Sequence, residues 1–396
     1  MKAKTKHYFW QKGMALVLSL TMILSLWSVP VKAATSIFGQ TFAATGNYGG
    51  NTIYAIQQDG SLWSWGRNQE GQVGNDSTEA KVLTPQKVLK GVVSVVAGES
   101  TAYAIREDGS LWRWGQNFAR HPERVPHLQD VKSVVFNAGN FYAIQEDGSL
   151  WAWGANSYGQ LGDGTTNDSV DPVRVLNVNN VEQLFFKGES VFAIESNGNL
   201  WAWGNNHYGL VAPGSTNPVH PTPVQIPAVT DVTEIAIKSD MVYALTRSGR
   251  VWFWGTSIQN PRLYQITDVK SIMAVDQVGL YIIKDDDSLW KITGTSVTPI
   301  LTQILTGVRQ MFHQDGSCYA VKNDGSLWAW GVNNYGQLGL GFLGSVTAPQ
   351  QVAIGDVRRI MAADDNVFAV LTDNSVWSWG RNNEGQVGSG STGQQL

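Results

Sequence analysis

Cysteine is nearly absent from this sequence, since Cys318 is the single one among 396 residues. No disulfide can therefore form within the chain, and its stability must come from a packed core. The hydrophobic content of 43% is enough for a large core. Cys318 directly precedes Tyr319-Ala320-Val321 in a predicted strand. At that place a small buried apolar side chain is a better interpretation than a nucleophile.

Charged residues are also scarce, at 15% of the chain, and no basic run follows the N-terminal region. Five lysines lie within residues 1–33, so residues 34–396 carry 23 basic and 32 acidic side chains and a formal net charge of −9. Because phosphate repels such a chain, we expect no nucleic acid partner.

Catalytic motifs are missing as well. The sequence has no His-Glu-x-x-His, no Gly-x-Ser-x-Gly and no phosphate-binding loop. His121 and His127 do not have a familiar metal-ligand spacing, and the acids at 285–287 align with a hairpin turn of another unit. The sequence therefore predicts no enzyme, no metal site and no cofactor.

The N-terminus has the pattern of a secretory signal peptide. Lysines precede an apolar run from Met14 to Trp27, and Val31-Lys32-Ala33 offers a cleavage site. A run of about 13 apolar residues is too short to span a bilayer comfortably. We expect a signal peptide at 1–33, one domain at 34–396, secretion to the extracellular space or cell surface, and no stable membrane insertion after cleavage.

A repeated unit fills the remainder of the chain. Each unit has an apolar strand, a second strand, a turn and a third strand that carries a Trp-x-Trp-Gly motif or a degenerate form of it. A proline-led fourth strand follows in seven units. The first tryptophans of the eight motifs are Trp63, Trp112, Trp151, Trp201, Trp252, Trp290, Trp328 and Trp377. No long helical apolar pattern occurs after residue 33.

Four-stranded units of this length predict an all-β fold, a β-propeller of seven to eight four-stranded blades. Eight blades are favoured, and seven remain if the degenerate unit near Trp290 is skipped. A linear β-solenoid is the alternative, although its repeats are usually shorter. The segment 37–44 is predicted to be the first strand of unit one. The N- and C-terminal segments are expected to close the ring.

The turn between the second and third strands has Asp-Gly in several units, as in Asp108-Gly109. Asp-Gly is the preferred dipeptide of a two-residue type I′ hairpin. The recurring aspartates are therefore attributed to the turn and not to catalysis. The paired tryptophans point the same way along their strand, and we interpret them as packing between blades rather than as a ring of ligand-binding aromatics.

The long units differ from the short ones in one connection, after the third strand, where Gly-Gln-Leu-Gly or a variant of it occurs. This variation should lie on one side of the ring and is typical of a binding face. Tyrosines on such loops either bind partners or pack locally. The predicted binding residues on this face are Tyr158, Tyr208, Tyr335, His207, Arg67, Glu70, Arg381 and Glu384.

The sequence Tyr-Ala-Ile-x-x-Asp-Gly-Ser-Leu-Trp-Ala-Trp-Gly, followed by Asn-x-x-Gly-Gln-Leu-Gly, resembles the regulator of chromosome condensation repeat family over nearly all of residues 37–396. The resemblance implies a β-propeller. Family members include a nuclear guanine nucleotide exchange factor, a plant ultraviolet-B receptor and a secreted bacterial β-lactamase inhibitory protein. This chain lacks the photoreceptor's Gly-Trp-Arg-His-Thr run, and it looks more like the secreted bacterial members.

The main functional hypothesis is a secreted, non-enzymatic propeller that binds a protein or a cell-wall glycan through its variable loops. The alternatives are a guanine nucleotide exchange factor-like regulator, by family analogy, and an extracellular enzyme that acts on polysaccharide. A fourth hypothesis is that the chain is part of a longer surface protein, because Leu396 falls within a repeat.

Overall fold

The computed structural model describes residues 41–44, 52–57, 59–98, 100–256, 258–275, 279–294, 298–363, 365–373 and 375–381. These residues form strands, turns and irregular connections, without an α-helix. Among them, no helix is long and apolar enough to cross a membrane. The predicted signal peptide lies outside the described residues.

The strands group into eight separate antiparallel sheets, of which seven have four strands and one has three within the described residues. Blade 1 contains β1 (Thr41–Ala44), β2 (Thr52–Ile56), β3 (Leu62–Arg67) and β4 (Lys81–Leu89), and blade 2 contains β5 (Val92–Ala97), β6 (Thr101–Arg106), β7 (Leu111–Gly115) and β8 (Glu123–Arg124). Blade 3 contains β9 (Val131–Asn137), β10 (Asn140–Gln145), β11 (Leu150–Gly154) and β12 (Ser169–Arg174). Blade 4 contains β13 (Val181–Lys187), β14 (Ser190–Glu195), β15 (Leu200–Asn205) and β16 (Val219–Gln225).

Blade 5 contains β17 (Val232–Lys238), β18 (Met241–Thr246), β19 (Val251–Gly255) and β20 (Ile258–Leu263), and blade 6 contains β21 (Val269–Val275), β22 (Gly279–Lys284), β23 (Leu289–Thr293) and β24 (Ile300–Leu305). Blade 7 contains β25 (Val308–Gln314), β26 (Ser317–Lys322), β27 (Leu327–Gly331) and β28 (Val346–Gln351). Blade 8 contains β29 (Val357–Ala363), β30 (Asn366–Leu371) and β31 (Val376–Gly380).

The unit near Trp290 forms a four-stranded sheet of its own, β21 to β24. The seven-blade alternative is therefore wrong, and the described residues form eight blades. Within each blade the strands follow one another in chain order, and the first strands of several successive blades contact each other. β1 is the predicted first strand of blade 1, paired with β2. Closure of the ring by the two chain ends stays a prediction.

This topology gives the ring two distinct faces. The loop face carries the connections from first to second strand and from third to fourth strand. The turn face carries the hairpin turns from second to third strand and the links to the next blade. All long third-to-fourth connections, such as 155–168 and 206–218, therefore lie on the loop face, as the sequence pattern predicts.

The hairpin turns differ in type from the prediction. In blade 2, Arg106 N–H donates to Ser110 O (3.0 Å) and Gly109 N–H donates to Arg106 O (2.9 Å). These bonds define a three-residue loop in which Gly109 takes the positive φ of 72°. This is a type I turn closed by a glycine bulge, and not a two-residue type I′ turn. Asp108 accepts a hydrogen bond from Ser110 N–H at 3.0 Å, so its role in the turn is confirmed.

Within the described residues, the second tryptophan of the motif packs against the preceding blade in six blades. Trp203 is fully buried among Tyr142, Leu161 and Phe186, and the first tryptophan Trp201 is half-buried beside it. Burying an indole removes roughly 150–250 Å² from water, which makes these rings a main source of blade cohesion. The interpretation of the tryptophan pairs as packing residues is confirmed.

Six of these indoles also donate a hydrogen bond to the preceding blade. Where that blade has a long loop, the acceptor is a loop carbonyl: Trp114 to Gln72 O (2.8 Å), Trp203 to Gln160 O (2.8 Å), Trp254 to Leu210 O (2.7 Å) and Trp379 to Gln337 O (2.7 Å). Where the loop is short, a tyrosine hydroxyl replaces it: Trp153 to Tyr103 (2.7 Å) and Trp330 to Tyr281 (3.2 Å). The long loops are therefore fixed to two blades at once.

Cys318 is buried at the start of β26, and burial raises the pKa of its thiol to about 12. The thiol is therefore protonated at neutral pH, which agrees with a packing role.

Candidate functional site

The long loops share a frame built around a buried asparagine. In blade 3, Asn156 Oδ1 accepts from Leu161 N–H at 2.9 Å, and Asn156 Nδ2 donates to Thr165 O and Asn167 O. The loop is thereby folded back on itself, because one side-chain amide forms hydrogen bonds with the backbone of both halves of the loop. The same arrangement occurs at Asn68, Asn206 and Asn333. Sequence reasoning used this asparagine only as part of a motif and missed its structural role.

A glutamine in the same frame fixes the residue at the predicted binding position. Gln160 Oε1 accepts from Tyr158 N–H at 2.9 Å, and Gln337 Oε1 accepts from Tyr335 N–H at 3.0 Å. In blade 1, Gln72 Oε1 holds Glu70 N–H in the same way. These side chains therefore project from a rigid backbone rather than from a loose loop.

Tyr158, His207 and Tyr208 form the aromatic cluster of blades 3 and 4. The rings of Tyr158 and His207 meet edge to face, with centroids 6.0 Å apart. Tyr158 is half-buried, whereas Tyr208 is 57% exposed. Tyr208 O accepts a hydrogen bond from Thr256 Oγ1 of blade 5 at 3.4 Å, which ties its backbone to the next blade.

Asn205 orients His207. His207 Nδ1 lies 2.7 Å from Asn205 Oδ1, so Nδ1 carries the ring hydrogen. Asn205 Nδ2 donates to Glu189 Oε2 at 3.3 Å, at the tip of the hairpin between β13 and β14. The aromatic cluster thus offers a tyrosine face, a histidine edge and a carboxylate within one continuous network.

The second pair of predicted residues lies between blades 7 and 8. The Arg381 guanidinium lies over the Tyr335 ring, 5.1 Å from its centroid, and Arg381 Nη1 is 3.7 Å from Asp365 Oδ2. Tyr335 is half-buried under this cation. A cation over a tyrosine face stabilises the arrangement by about 0.5–1 kcal/mol at an exposed place.

The third group lies on blade 1. Glu70 is exposed, and the Arg67 guanidinium donates to Gln69 Oε1 at 3.0 and 2.7 Å. Arg120 of blade 2 clamps this loop by donating to Asn68 O and Gln69 O, a contact that sequence reasoning missed. Glu384 lies outside the described residues. The predicted residues that the structure describes thus fall into three groups on the loop face.

No group of three or more His, Cys, Asp or Glu side chains within the described ranges is placed to hold a metal ion. The arrangement on the loop face suits recognition, since exposed aromatic surface and hydrogen-bonding groups stand on a rigid frame.

Comparison with protein families identifies the repeat. The model of the regulator of chromosome condensation (RCC1) repeat matches residues 59–105, 147–189 and 324–370, and a second model of the same repeat matches 131–160 and 364–386. A search of curated proteins returned no match.

Solved structures with similar folds include human WBSCR16, with 20% identity and a TM-score of 0.54 over 83% of this chain and 86% of that one. Prp20p from Saccharomyces cerevisiae, studied for its binding to Gsp1p and histones, has 18% identity and a TM-score of 0.50 over 79% and 76%. Yeast RCC1 (Prp20) with bound Kap60 has 18% identity and a TM-score of 0.51 over 81% and 77%. At these identities the likeness establishes the fold alone.

The repeat matches agree with the repeated motif and the eight sheets, and the chain carries repeats of the regulator of chromosome condensation (RCC1) family.

Proposed function

We propose that the chain is a secreted, non-enzymatic binding module that engages a protein or a cell-wall glycan through the aromatic cluster of its loop face. The observation that carries this proposal is Tyr208, a tyrosine 57% exposed on a backbone held by two blades. A preorganised tyrosine binds with little loss of conformational freedom, and tyrosine is frequent among residues that dominate binding energy.

Of a protein and a cell-wall glycan, we favour a protein as the partner. The similar yeast propeller is named for binding to Gsp1p and histones and was solved with Kap60, all of which are proteins. The cluster combines an exposed ring with Asn205 and Glu189, so it can both pack on an apolar side chain and accept hydrogen bonds.

The binding proposal is tested by affinity capture with the purified chain against extracellular proteins and wall glycans, followed by cross-link mapping. We expect cross-links on 155–168 and 206–218, and a loss of affinity of about 30-fold or more when Tyr158, Tyr208 and Tyr335 are replaced together by Ala. Val93→Ala is the matched control, because Val93 is 44% exposed at the turn-face end of blade 2. Equal binding by the triple variant and the control would refute the site.

The secretion proposal has a separate test. Mass spectrometry of protein recovered from the culture medium should give an N-terminus at Ala34, after removal of residues 1–33. An intact N-terminus in the cytosolic fraction would contradict secretion and would favour the exchange-factor alternative.

A further inference from the structure

The outer edges of the blades differ in how they are protected. Seven blades have a fourth strand within the described residues, and an exposed edge strand can pair with a strand of another chain unless it is short, charged, bulged or interrupted by proline. The fourth strand of blade 2 has only two residues. In blades 1, 3, 4, 5 and 7 the fourth strand contains at least one proline: Pro85, Pro172, Pro221, Pro223, Pro261 and Pro349. In the same five blades a β-bulge interrupts its pairing at the second tryptophan of the motif.

The fourth strand of blade 6, β24, has none of these protections. Its sequence Ile-Leu-Thr-Gln-Ile-Leu (300–305) contains no proline and no charged residue, and Pro299 precedes it without interrupting it. Its pairing with β23 continues without a bulge from Ile300 to Gln303, and the register shifts only near the turn-face end. β24 is therefore an uncharged edge about 20 Å long.

The cause lies in the degenerate motif of this blade. In the five blades with the bulge, the motif glycine beside it has a positive φ of 94° to 152°: Gly66, Gly154, Gly204, Gly255 and Gly331. Blade 6 has Thr293 at this position, without a positive φ. Because a β-branched residue rarely adopts that conformation, the third strand cannot form the same bulge, and the fourth strand pairs with it regularly.

The outer side of β24 is accessible. Among the described residues, the backbone hydrogen bonds of 300–305 go to β23 and to no other segment. Alternate residues of an edge strand direct their N–H and C=O groups outwards, so these groups are available for a further strand. The Ile300 side chain is 67% exposed, and Thr302 and Gln303 are exposed beside it.

The side chains of β24 are arranged symmetrically about Thr302. Ile300, Thr302 and Ile304 alternate onto one face, as the packing shows: Ile304 contacts the cluster between blades 6 and 7, whereas Leu301 contacts the cluster between blades 5 and 6. Two identical antiparallel edges must pair about a residue, since opposite residues direct their hydrogen-bonding groups either both inwards or both outwards. With Thr302 on the axis, Thr302 faces its own copy and Ile300 faces Ile304, and both are favourable cross-strand pairs.

Charge does not oppose such pairing. The nearest charged residue on the neighbouring strand is Lys291, which lies opposite Thr302 on β23. Strands are about 4.8 Å apart, so Lys291 and the same residue of a second copy would be about 14 Å apart across the axis. This distance exceeds the screening length of about 8 Å at physiological salt.

We propose that β24 is a self-association edge, at which two copies of the chain pair antiparallel about Thr302 and join their sixth blades into one eight-stranded sheet. The contact is independent of the proposed binding site, which lies on blades 3 and 4. One strand from each copy buries less than the roughly 1,200 Å² at which stable specific interfaces begin, so the dimer is weak and depends on concentration.

Sedimentation of the purified chain over a range of concentrations tests the proposal. Thr302→Lys and Thr302→Glu should each raise the dimer dissociation constant about fivefold or more, because each places like charges directly opposite one another at the axis. Val170→Lys is the matched control, since Val170 is 61% exposed on β12, an edge that Asp171 and Pro172 already protect. This variant should dimerise as the parent chain does.

A mixture of the two Thr302 variants gives the sharper test. We expect an equimolar mixture to dimerise again, because opposite charges then meet at the axis, and a contact centred elsewhere would not give this rescue. Hydrogen exchange of the 300–305 amides in the parent chain should also slow as its concentration rises, and it should not slow in the Thr302→Lys chain alone.

Three results would overturn the proposal. They are a parent chain that stays monomeric up to about 1 mM, a dimer that both Thr302 variants retain, and folded variants that dissociate but do not recover on mixing. If the parent is monomeric, cross-links to 300–305 in the capture experiment would assign the edge to a strand of a different protein.

Discussion

Three tyrosines occupy the same place in their loops but differ in what covers them. His207 of blade 4 covers Tyr158, and Arg381 of blade 8 covers Tyr335. Tyr208 stays open because β20 of blade 5 begins only three residues after β19 ends, which leaves no long loop to cover the ring. The sequence pattern predicted the three positions. It could not rank their exposure, since that depends on the length of the neighbouring loop across the blade boundary.

Glu234 is the residue with the clearest dependence on pH. It lies in β17, where Oε2 accepts from Ile272 N–H (3.1 Å) and Oε1 accepts from Ser271 Oγ (3.3 Å), both on the first strand of blade 6. Burial between the two strands raises the pKa of its carboxyl from the ordinary 4.5 to about 7, in spite of these hydrogen bonds.

Glu234→Gln should therefore change how stability varies with pH. Because the folded-state pKa lies above the unfolded value, the folded chain binds more protons between pH 4.5 and 7. Stability is then greatest at low pH within this range and falls, by up to about 3 kcal/mol, as pH rises through 7. The variant should remove this fall and should be the more stable chain at pH 8. Urea unfolding at pH 5, 6, 7 and 8 measures it.

Glu182→Gln is the matched control for this change, since Glu182 is an exposed carboxylate on β13. It should leave the dependence on pH as it is. A parent chain with equal stability at pH 5 and pH 8, after correction by this control, would contradict the assignment to Glu234.

At the scale of the element, the hairpin shows what local sequence can and cannot specify. Asp-Gly fixed the place of the turn, because the glycine position requires positive φ and Asp287 takes it with 62° where glycine is missing. The turn type was predicted wrongly, because the second strand ends one residue earlier than a two-residue loop needs. Strand register depends on the whole sheet, and the Asp-Gly dipeptide alone does not encode it.

The hydrogen bonds between blades give a prediction for Tyr103 and Tyr142, which occupy the same position in the second strands of blades 2 and 3. Tyr103→Phe should leave the buried Trp153 Nε1 without an acceptor and should cost about 1–3 kcal/mol. Tyr142→Phe should cost less, about 0.5–1.5 kcal/mol, because Gln160 O still accepts from Trp203 when the tyrosine hydroxyl is gone. Chemical denaturation of both variants measures the difference. Equal costs would show that the hydroxyl of Tyr103 is not the essential acceptor.

At the scale of the whole molecule, one junction in the ring is built differently from those joined by an indole hydrogen bond. Blade 6 has Ile292 where other blades have the second tryptophan, so no indole joins it to blade 5. Tyr264, which follows β20, fills the space instead. Its ring stacks on Phe253 with centroids 4.0 Å apart, and Ile292 belongs to the same buried cluster.

Tyr264→Ala should therefore open a cavity at the junction of blades 5 and 6 and lower the free energy of unfolding by about 3–5 kcal/mol. Tyr264→Phe is the control and should cost less, about 0.5–1.5 kcal/mol, because it keeps the stacked ring and removes only the hydroxyl, which bonds to Gly294 O at 3.4 Å and to Tyr243. Thermal unfolding of both variants gives the comparison. A small loss for the alanine variant would mean that the junction closes over the gap.

The blades could be predicted from the sequence because the repeat specifies a four-stranded sheet many times over, whereas their number depended on the degenerate unit around Trp290 and closure of the ring stays a prediction. The candidate site was predicted in part. Its positions follow from the loop motif, whereas Arg120, which clamps one loop, and Asn205, which orients His207, act through contacts to other segments. A single sequence holds no signal for such contacts, since nothing in the repeat marks them.

The hydrogen bond from an indole to the loop of the preceding blade implies that the segment whose parts function together in evolution does not coincide with one blade. A loop and the tryptophan of the next blade function together. A gene duplication that copies one whole blade therefore copies its loop without the tryptophan that donates to it, and its tryptophan without the loop that accepts. The copy still fits, because every copied half meets an equivalent half from its neighbour. A shortened loop is tolerated where a tyrosine hydroxyl of the same blade accepts the hydrogen bond instead, as the hydroxyls of Tyr103 and Tyr281 do. The repeat can thus be lengthened, shortened and recombined in evolution while the loop tips vary freely in sequence.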